Sequence, residues 1–455
     1  MARVFPQNNK MASAPVGRLL LTMSLPLMLS MVMEALYNVV DSLFISRIGE
    51  KAITALSLAF PIQLLVVSIT VGTGVGVGAV LSRLLGEKDE RGVGATAANG
   101  IFLALLTYVL FWAFGIFCTE RYYGSQTADA EIYRYGVDYL SICMVWSFGG
   151  VGQITFQRLL QATGRTALSM ASQMVGALIN IVLDPILIFG LCGAPAFGVK
   201  GAAAATVIGQ ITALGLAVYF NLRLNRDVSF DLRGFRPDLR MIKKIYAIGA
   251  PAIVMQSLNS LMAFGVNLIL IGLSPTAVAA FGIYIKVQNF VFMPAFGLNN
   301  AVVAIAAFNY GARSEPRVRQ TIRYGMIYAS AIMLAGMFLV QLLALPILRL
   351  FDASPELLAI GGRAMRVISV SYIFTAYMLI AQGVYQALGN GLYSLVVTML
   401  RVVVILLPLL WVFSAIFPLR EVWWAFVISE IISTLVSALL LRRVCAVSLG
   451  VLRRA

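Results

Sequence analysis

The chain has 455 residues, 60% hydrophobic and 12% charged, with a mean hydropathy of +0.90 and a formal net charge of +15. Soluble domains are nearer a quarter charged, so the composition excludes an ordinary soluble protein and points to an integral membrane protein. There is no histidine, which removes most metal sites and all histidine acid–base chemistry. The excess of positive charge is not a nucleic-acid footprint, because Lys and Arg sit in short loops between apolar segments, where they face anionic lipid and set topology. Cys118, Cys143, Cys192 and Cys445 are scattered without CxxC spacing, so neither a zinc site nor a disulfide framework is expected.

Residues 1–17 read as a polar amino-terminal tail, with no cleavable leader expected because the first apolar stretch is too long for one. Twelve apolar segments of spanning length follow, at 18–42, 54–82, 94–117, 132–156, 166–190, 199–221, 242–272, 278–306, 322–347, 357–381, 393–416 and 421–443. They are punctuated by polar or Gly- and Pro-rich stretches such as RLLGEKDERG, QATGRT and YGARSEPRVR. The tails and the even-numbered loops hold 23 of the 34 Lys and Arg, the odd-numbered loops nine, and Lys286 and Arg401 fall inside spans. By the positive-inside rule both termini are cytoplasmic. The expected organisation is a tail (1–17), an amino-terminal six-helix lobe (18–221), a basic cytoplasmic linker (222–241), a carboxy-terminal six-helix lobe (242–443) and a cytoplasmic tail (444–455).

The two halves repeat. At a constant offset of 225, Pro26 meets Pro251, Ala52 meets Ala277, Gln63 meets Gln288, Gly72 meets Gly297, Gly86 meets Gly311 and Gly100 meets Gly325. Gln157, Gln161 and Gly164 meet Gln382, Gln386 and Gly389 in the same register. Shared membrane composition does not preserve register. The fold class is therefore all-α and integral to the membrane, twelve transmembrane helices in two six-helix lobes related by a parallel pseudo-two-fold repeat. Transporters use such halves to expose a site to alternate sides by rocking one lobe against the other.

The repeat is most informative where it fails. Asp41 meets Val266, Glu34 meets Asn259 and Asp184 meets Leu409, so these acids belong to the first half only, and Glu430 is the one deep acid of the second. In the first span, EALYNVVDSLF places Glu34, Asn38 and Asp41 four and three residues apart, on one helical face. A charge near the bilayer centre costs on the order of 2.5 to 3.5 kcal/mol on insertion scales, so this face must do something that offsets the cost. In the fifth, INIVLDPILIFG puts Asn180 and Asp184 four apart ahead of Pro185, which can kink the helix. A carboxyl in low dielectric favours its neutral form, which suits reversible proton binding; the same oxygens suit Na⁺. An ion-coupling site is the functional reading, and helix–helix hydrogen bonding is the plain one.

Other features carry less. GTGVGVGAV (72–80) only superficially resembles a phosphate-binding loop, since it sits inside a span. Met23, Met28, Met31 and Met33 fit an adaptable cavity or a plain apolar face. Tyr37 and Tyr139 can offer hydroxyls to the acids or anchor span ends, and Lys286 faces a cavity or snorkels to an interface.

LPLMLSMVMEALYNVVDSLFISRIGEKAITALSLAFPI and QATGRTALSMASQMVGALINIVLDPILIFG, with PAIVMQSLNSLMAFGVNLIL and YQALGNGLYSLV in the second half, resemble the multidrug and toxic compound extrusion (MATE) family, in its prokaryotic DNA-damage-inducible F-like branch. The resemblance covers nearly the whole chain. It implies a secondary antiporter of the prokaryotic cytoplasmic membrane, exporting amphipathic, mostly cationic compounds in exchange for H⁺ or Na⁺, with no cofactor, no catalytic residues and no nucleic-acid partner, and working as a monomer. It implies cation coupling at Asp41, Asn180 and Asp184, where Na⁺ would also bind. Glu34, Tyr37, Asn38, Tyr139, Gln256, Asn259 and Lys286 would complete a substrate or coupling network. Another bacterial branch keeps its acids in the seventh and tenth spans, where this chain has Gln256 and Asn259 and no acid. The alternative within the same superfamily is a lipid-linked oligosaccharide flippase. A membrane-embedded prenyl transferase would need a DDxxD-type cluster, which is absent.

Overall fold

A computed structural model describes residues 9–193, 195–230, 235–351 and 353–454. Residues 1–8 of the expected amino-terminal tail, 231–234 of the linker and Ala455 of the carboxy-terminal tail lie outside the described residues. Among the described residues the secondary structure is helical throughout, as lipid demands, because only a helix or a closed barrel satisfies every backbone N–H and C=O without water.

A short helix α1 (Lys10–Ser13) leads into the first half: α2 (Val16–Ser46), α3 (Glu50–Gly86), α4 (Glu90–Phe117), α5 (Thr119–Gln126), α6 (Ala130–Val145), α7 (Phe148–Ala162), α8 (Thr166–Phe189) and α9 (Val199–Arg223). The second half follows with α10 (Leu239–Ile271), α11 (Pro275–Gly311), α12 (Glu315–Leu350), α13 (Pro355–Ser369), α14 (Tyr372–Ala387), α15 (Gly391–Met399), a π-helical stretch (Leu400–Leu406), α16 (Leu407–Ile416), α17 (Leu419–Val422) and α18 (Trp424–Arg454). Ten of these segments are long and apolar enough to cross a membrane, and the bent pairs α6–α7 and α13–α14 bring the number to twelve.

Those pairs are the expected fourth and tenth spans, each read from sequence as one rod. They bend by 43° and 49° with no proline at either break. At the first, Gly149 and Gly150 open α7 against α9: a Cβ on Gly149 would lie 2.9 Å from Ile211 Cγ1, and one on Gly150 2.8 Å from Gln210 Oε1. The small residues let α7 and α9 pack closely just past this break. Helix starts elsewhere are locally encoded. The Asp89 side chain accepts from Gly92 N at 2.9 Å to open α4, and Ser274, followed by Pro275, accepts from Thr276 N at 3.1 Å to open α11.

The repeat is visible in the backbone. α3 and α11 begin and end at equivalent positions, as α4 and α12 begin. Lys88 and Arg313 are equivalent, with left-handed φ of 59° and 55°, and so are Gly164 and Gly389, both at 82°.

The chain divides into two compact units, Leu29–Gly249 as the first and Lys10–Met28 with Ala250–Ala455 as the second. The division falls inside α2 and α10, a few residues from Pro26 and Pro251. A proline there removes one intrahelical hydrogen bond and weakens the rod locally. In the second unit Arg317 holds the amino-terminal segment: its Nη2 donates to the carbonyls of Met11 at 3.0 Å and Ala14 at 2.7 Å.

Candidate functional site

The first unit gathers its acids where α2 and α8 present their polar faces. α8 and α9 lie unusually close, because a Cβ on Gly209 would sit 2.7 Å from the Gly176 carbonyl and one on Gly176 2.8 Å from the Gly209 carbonyl. Small residues at the contact let the two backbones approach. One turn beyond Gly176, Asn180 reaches across this seam. Its Nδ2 donates to Asp184 Oδ1 on α8 at 3.3 Å and to Thr206 Oγ1 on α9 at 3.3 Å.

Asp184 is fully buried and Asn180 nearly so. Asp41, on α2, is half-buried, and its carboxyl is in side-chain hydrogen-bonding contact with that of Asp184. Carboxyls this close titrate as a pair. Three buried oxygens, Asp41 Oδ1, Asn180 Oδ1 and Asp184 Oδ2, have no hydrogen-bond partner among the described residues. The cluster is rich in acceptors and poor in donors. Its chemistry suits a proton or a small hard cation such as Na⁺, whose preferred ligands are oxygens.

Around it the structure places the other expected residues unevenly. Tyr139 on α6 is buried, accepts from Gln63 Nε2 at 3.3 Å and lies within electrostatic reach of Asp41 and Cys143. Tyr37 lies close to Glu34, Asn38 and Asp41 on its own helix. Glu34 is half-buried, with the Arg158 guanidinium on α7 as the cation facing it. The Asn38 side chain is turned to its own helix, Nδ2 donating to the Glu34 carbonyl at 2.8 Å, so nothing ties it to Asp184. Gln256 is half-buried and Asn259 exposed on α10 in the second unit. Lys286 is exposed on α11, with Nζ 5.9 Å from the Phe351 ring centroid, within the range of a cation–π contact.

Thr206, Gln63, Cys143 and Arg158 were not singled out by the sequence. Thr206 stands in GAAAATVIGQ, where a lone threonine carries little signal. Gln63 had one available cue, as it keeps its register in the repeat. Arg158 fell just beyond the expected fourth span (132–156); it stands on α7 with its stem against Gly74 and Nη1 donating to Gln161 Oε1 at 3.2 Å.

Twelve spans in two repeated lobes, with an acceptor-rich polar cluster buried in one of them, are the organisation of a membrane transporter. The MatE family model matches residues 26–186 and again 251–412, opening both times on the proline with which the repeat register begins. The chain belongs to this family, the multidrug and toxic compound extrusion transporters; it is a multi-pass membrane protein and not an enzyme. It is 28% identical over 409 residues to the multidrug export protein MepA of Staphylococcus haemolyticus, covering 90% of this chain and 89% of that one. It is 27% identical over 443 residues to an FAD transporter of Shewanella oneidensis, covering 95% and 96%. An outward-facing crystallised multidrug resistance MATE family transporter of the MOP superfamily has the same fold, with a TM-score of 0.91 at 24% identity, and the match covers 100% of both chains.

Proposed function

We propose that this protein is a secondary active multidrug efflux antiporter of the prokaryotic cytoplasmic membrane, exporting amphipathic, mostly cationic compounds in exchange for H⁺ or Na⁺ by alternating access. The observation that carries the reading is the contact between Asp41 and Asp184, with three orphaned oxygens around it. With the site ionised, its negative charge favours a cationic cargo; with a proton or Na⁺ bound, that preference is lost. Ion and cargo then compete through their different preferences for the two charge states, and exchange follows. Asp41 and Asp184 are the titrating pair and Asn180, braced on Thr206, orients Asp184. Glu34, Tyr37 and Tyr139 complete the polar surroundings, and Gln256 and Asn259 serve cargo binding.

The comparison with an FAD transporter favours a second cargo reading, a flavin nucleotide. The flippase alternative has less support, because Arg401 is neutralised by Glu430 and Lys286 stands beside the Phe351 ring. Proteoliposomes with ΔpH and Na⁺ gradients imposed separately test the function. Uptake of a cationic dye driven by one gradient, and lost in Asp41→Asn, is the expected result. FAD movement without dye movement selects the second reading, and movement of neither overturns the first.

A further inference from the structure

The second unit buries a charge pair that ion coupling at Asp41 and Asp184 does not use. Arg401 lies in the π-helical stretch, and its Nη1 is 3.3 Å from Glu430 Oε1 on α18, with the two side chains 18% and 12% exposed. Isolated π turns recur at functional sites. Ser429 Oγ donates at 3.2 Å to the Arg401 carbonyl, and Thr375 on α14 stands beside Glu430. Tyr284 on α11 and Tyr372 on α14 adjoin one another, with Arg401 and Glu430 within electrostatic reach. Ser433 shares the face of α18 with Glu430, three residues on.

Three buried atoms of this group have no hydrogen-bond partner among the described residues, Arg401 Nε, Glu430 Oε2 and Ser433 Oγ, and the Tyr284 and Tyr372 hydroxyls have only each other. Tyr284, Tyr372 and Ser433 are each at most 1% exposed. Buried polar atoms are almost always satisfied by protein or by ordered water. The group mixes donors and acceptors. A metal cation would meet the guanidinium, and an anion would meet the carboxylate. Water, which donates and accepts, matches the whole set.

We propose that α11, α14, the π stretch and α18 enclose an internal water site, and that this water makes Glu430 a second proton-exchanging carboxyl, separate from Asp41 and Asp184. When Glu430 takes a proton, the carboxylate becomes a neutral acid and Arg401 keeps its charge, solvated by the same water. The charged groups on the neighbouring elements have other partners among the described residues. On α11, Lys286 lies over the Phe351 ring. On α13 and α17, Arg363 and Glu421 pair with each other at 3.0 Å. On α14, Tyr377 lies near Arg442 and Cys445, and the Tyr385 hydroxyl donates to the Ser437 carbonyl at 2.8 Å. On α12, Arg319 pairs with Glu315 and reaches towards Cys445. α15 and α16 carry no charged residue.

X-ray hydroxyl-radical footprinting of the wild-type protein in detergent tests the water. Tyr284 and Tyr372 are expected to label at least tenfold faster than Tyr123, which is equally buried but whose hydroxyl donates to the Ala55 carbonyl at 2.7 Å. Equal, slow labelling of all three overturns the proposal. Infrared titration tests the proton, in the Asp41→Asn/Asp184→Asn background so that the coupling site is silent. A carboxylic-acid band that grows on acidification, shifts within minutes in D2O and vanishes on adding Glu430→Gln is expected. A spectrum unchanged by Glu430→Gln, in protein that elutes as the parent does, overturns it.

Discussion

The equivalent seams of the two lobes, between the fifth and sixth spans, have diverged in chemistry while keeping their frame. In the first, Gly176 and Gly209 bring two backbones together and Asn180, Thr206 and Asp184 line the contact. In the second, the positions equivalent to Gly176 and Gly209 are Arg401 and Thr434, and the position equivalent to Asp184 is Leu409. A guanidinium cannot fit where two glycines touched. The helix there becomes a π turn, which inserts a residue without ending the helix, and Glu430 arrives to balance the charge. Packing elsewhere is conserved. A Cβ on Gly100 would lie 3.1 Å from Val77 Cγ1, and one on the equivalent Gly325 2.9 Å from Val302 Cγ2. Duplication preserves the positions where backbones approach, because a change there is felt across the lobe. Charged groups are free to move wherever a partner can be found. One lobe therefore presents a cluster of acceptors, and the other presents an ion pair.

The contrast breaks most directly at the acids. Asp41→Asn and Asp184→Asn are each expected to lower gradient-driven export by about 100-fold or more, the upper range of coupling energies, while leaving the protein folded in the membrane. Glu34→Gln should cost less, since Glu34 faces Arg158. Counterflow and gradient-driven transport in vesicles check both. Near wild-type pumping by Asp41→Asn along an imposed ΔpH would mean that this face does not couple ions.

Stability should separate the lobes in the opposite sense. Arg401→Leu leaves Glu430 buried and unpaired, and the expected loss is about 3 kcal/mol. The double variant Arg401→Leu/Glu430→Leu should recover most of it, because an apolar pair of similar volume replaces the charges. Thermal midpoints in one detergent give the comparison. Asp184→Asn, which removes an acid lacking a counter-cation, should leave the midpoint within about 1 kcal/mol of wild type. An Arg401→Leu protein as stable as wild type would show that the pair is not the balanced unit its geometry describes.

How far these features were legible in sequence follows from their physics. Spans and repeat were legible because lipid imposes length and apolarity on every segment and the register carries glycines and prolines. The acids of α2 and α8 were legible because charge in a span is costly enough to be conspicuous. The bends at Trp146–Ser147 and Val370–Ser371 were not, since no proline marks either break. The π turn depends on what faces Arg401. Thr206 and Cys143 gain meaning only from their neighbours. Arg158 was not legible as a partner of Glu34, because that pairing joins two different helices. The expected lobe boundaries at 221 and 242 followed the basic loop, whereas the compact units divide within α2 and α10, a tertiary property invisible to composition.

The frame itself can be tested for equivalence. Gly100→Ala and Gly325→Ala place a methyl at nearly the same distance from the same kind of side chain. Valine can give by rotation, so each should cost only about 1 kcal/mol, and the two midpoints should agree. Unequal costs would show that the repeat has drifted in packing as well as in charge.

The smallest effect is expected at Gln256. It lies in the second unit, on α10, equivalent in register to Met31 and one turn from Asn259, which meets Glu34 across the repeat. Neither an amide nor the alanine that replaces it can titrate. Gln256→Ala removes at most a hydrogen bond to cargo, worth about 0.5–1.5 kcal/mol. Apparent affinity for a transported dye should therefore fall by less than about tenfold. The protons released per dye molecule should not change, because dye binding is proposed to displace them from Asp41 and Asp184. Proton release on dye binding, measured with a pH indicator in weak buffer, separates the two quantities. If Gln256→Ala abolishes release while dye still binds, coupling is shared across the lobes, and the division of labour drawn from their charges fails.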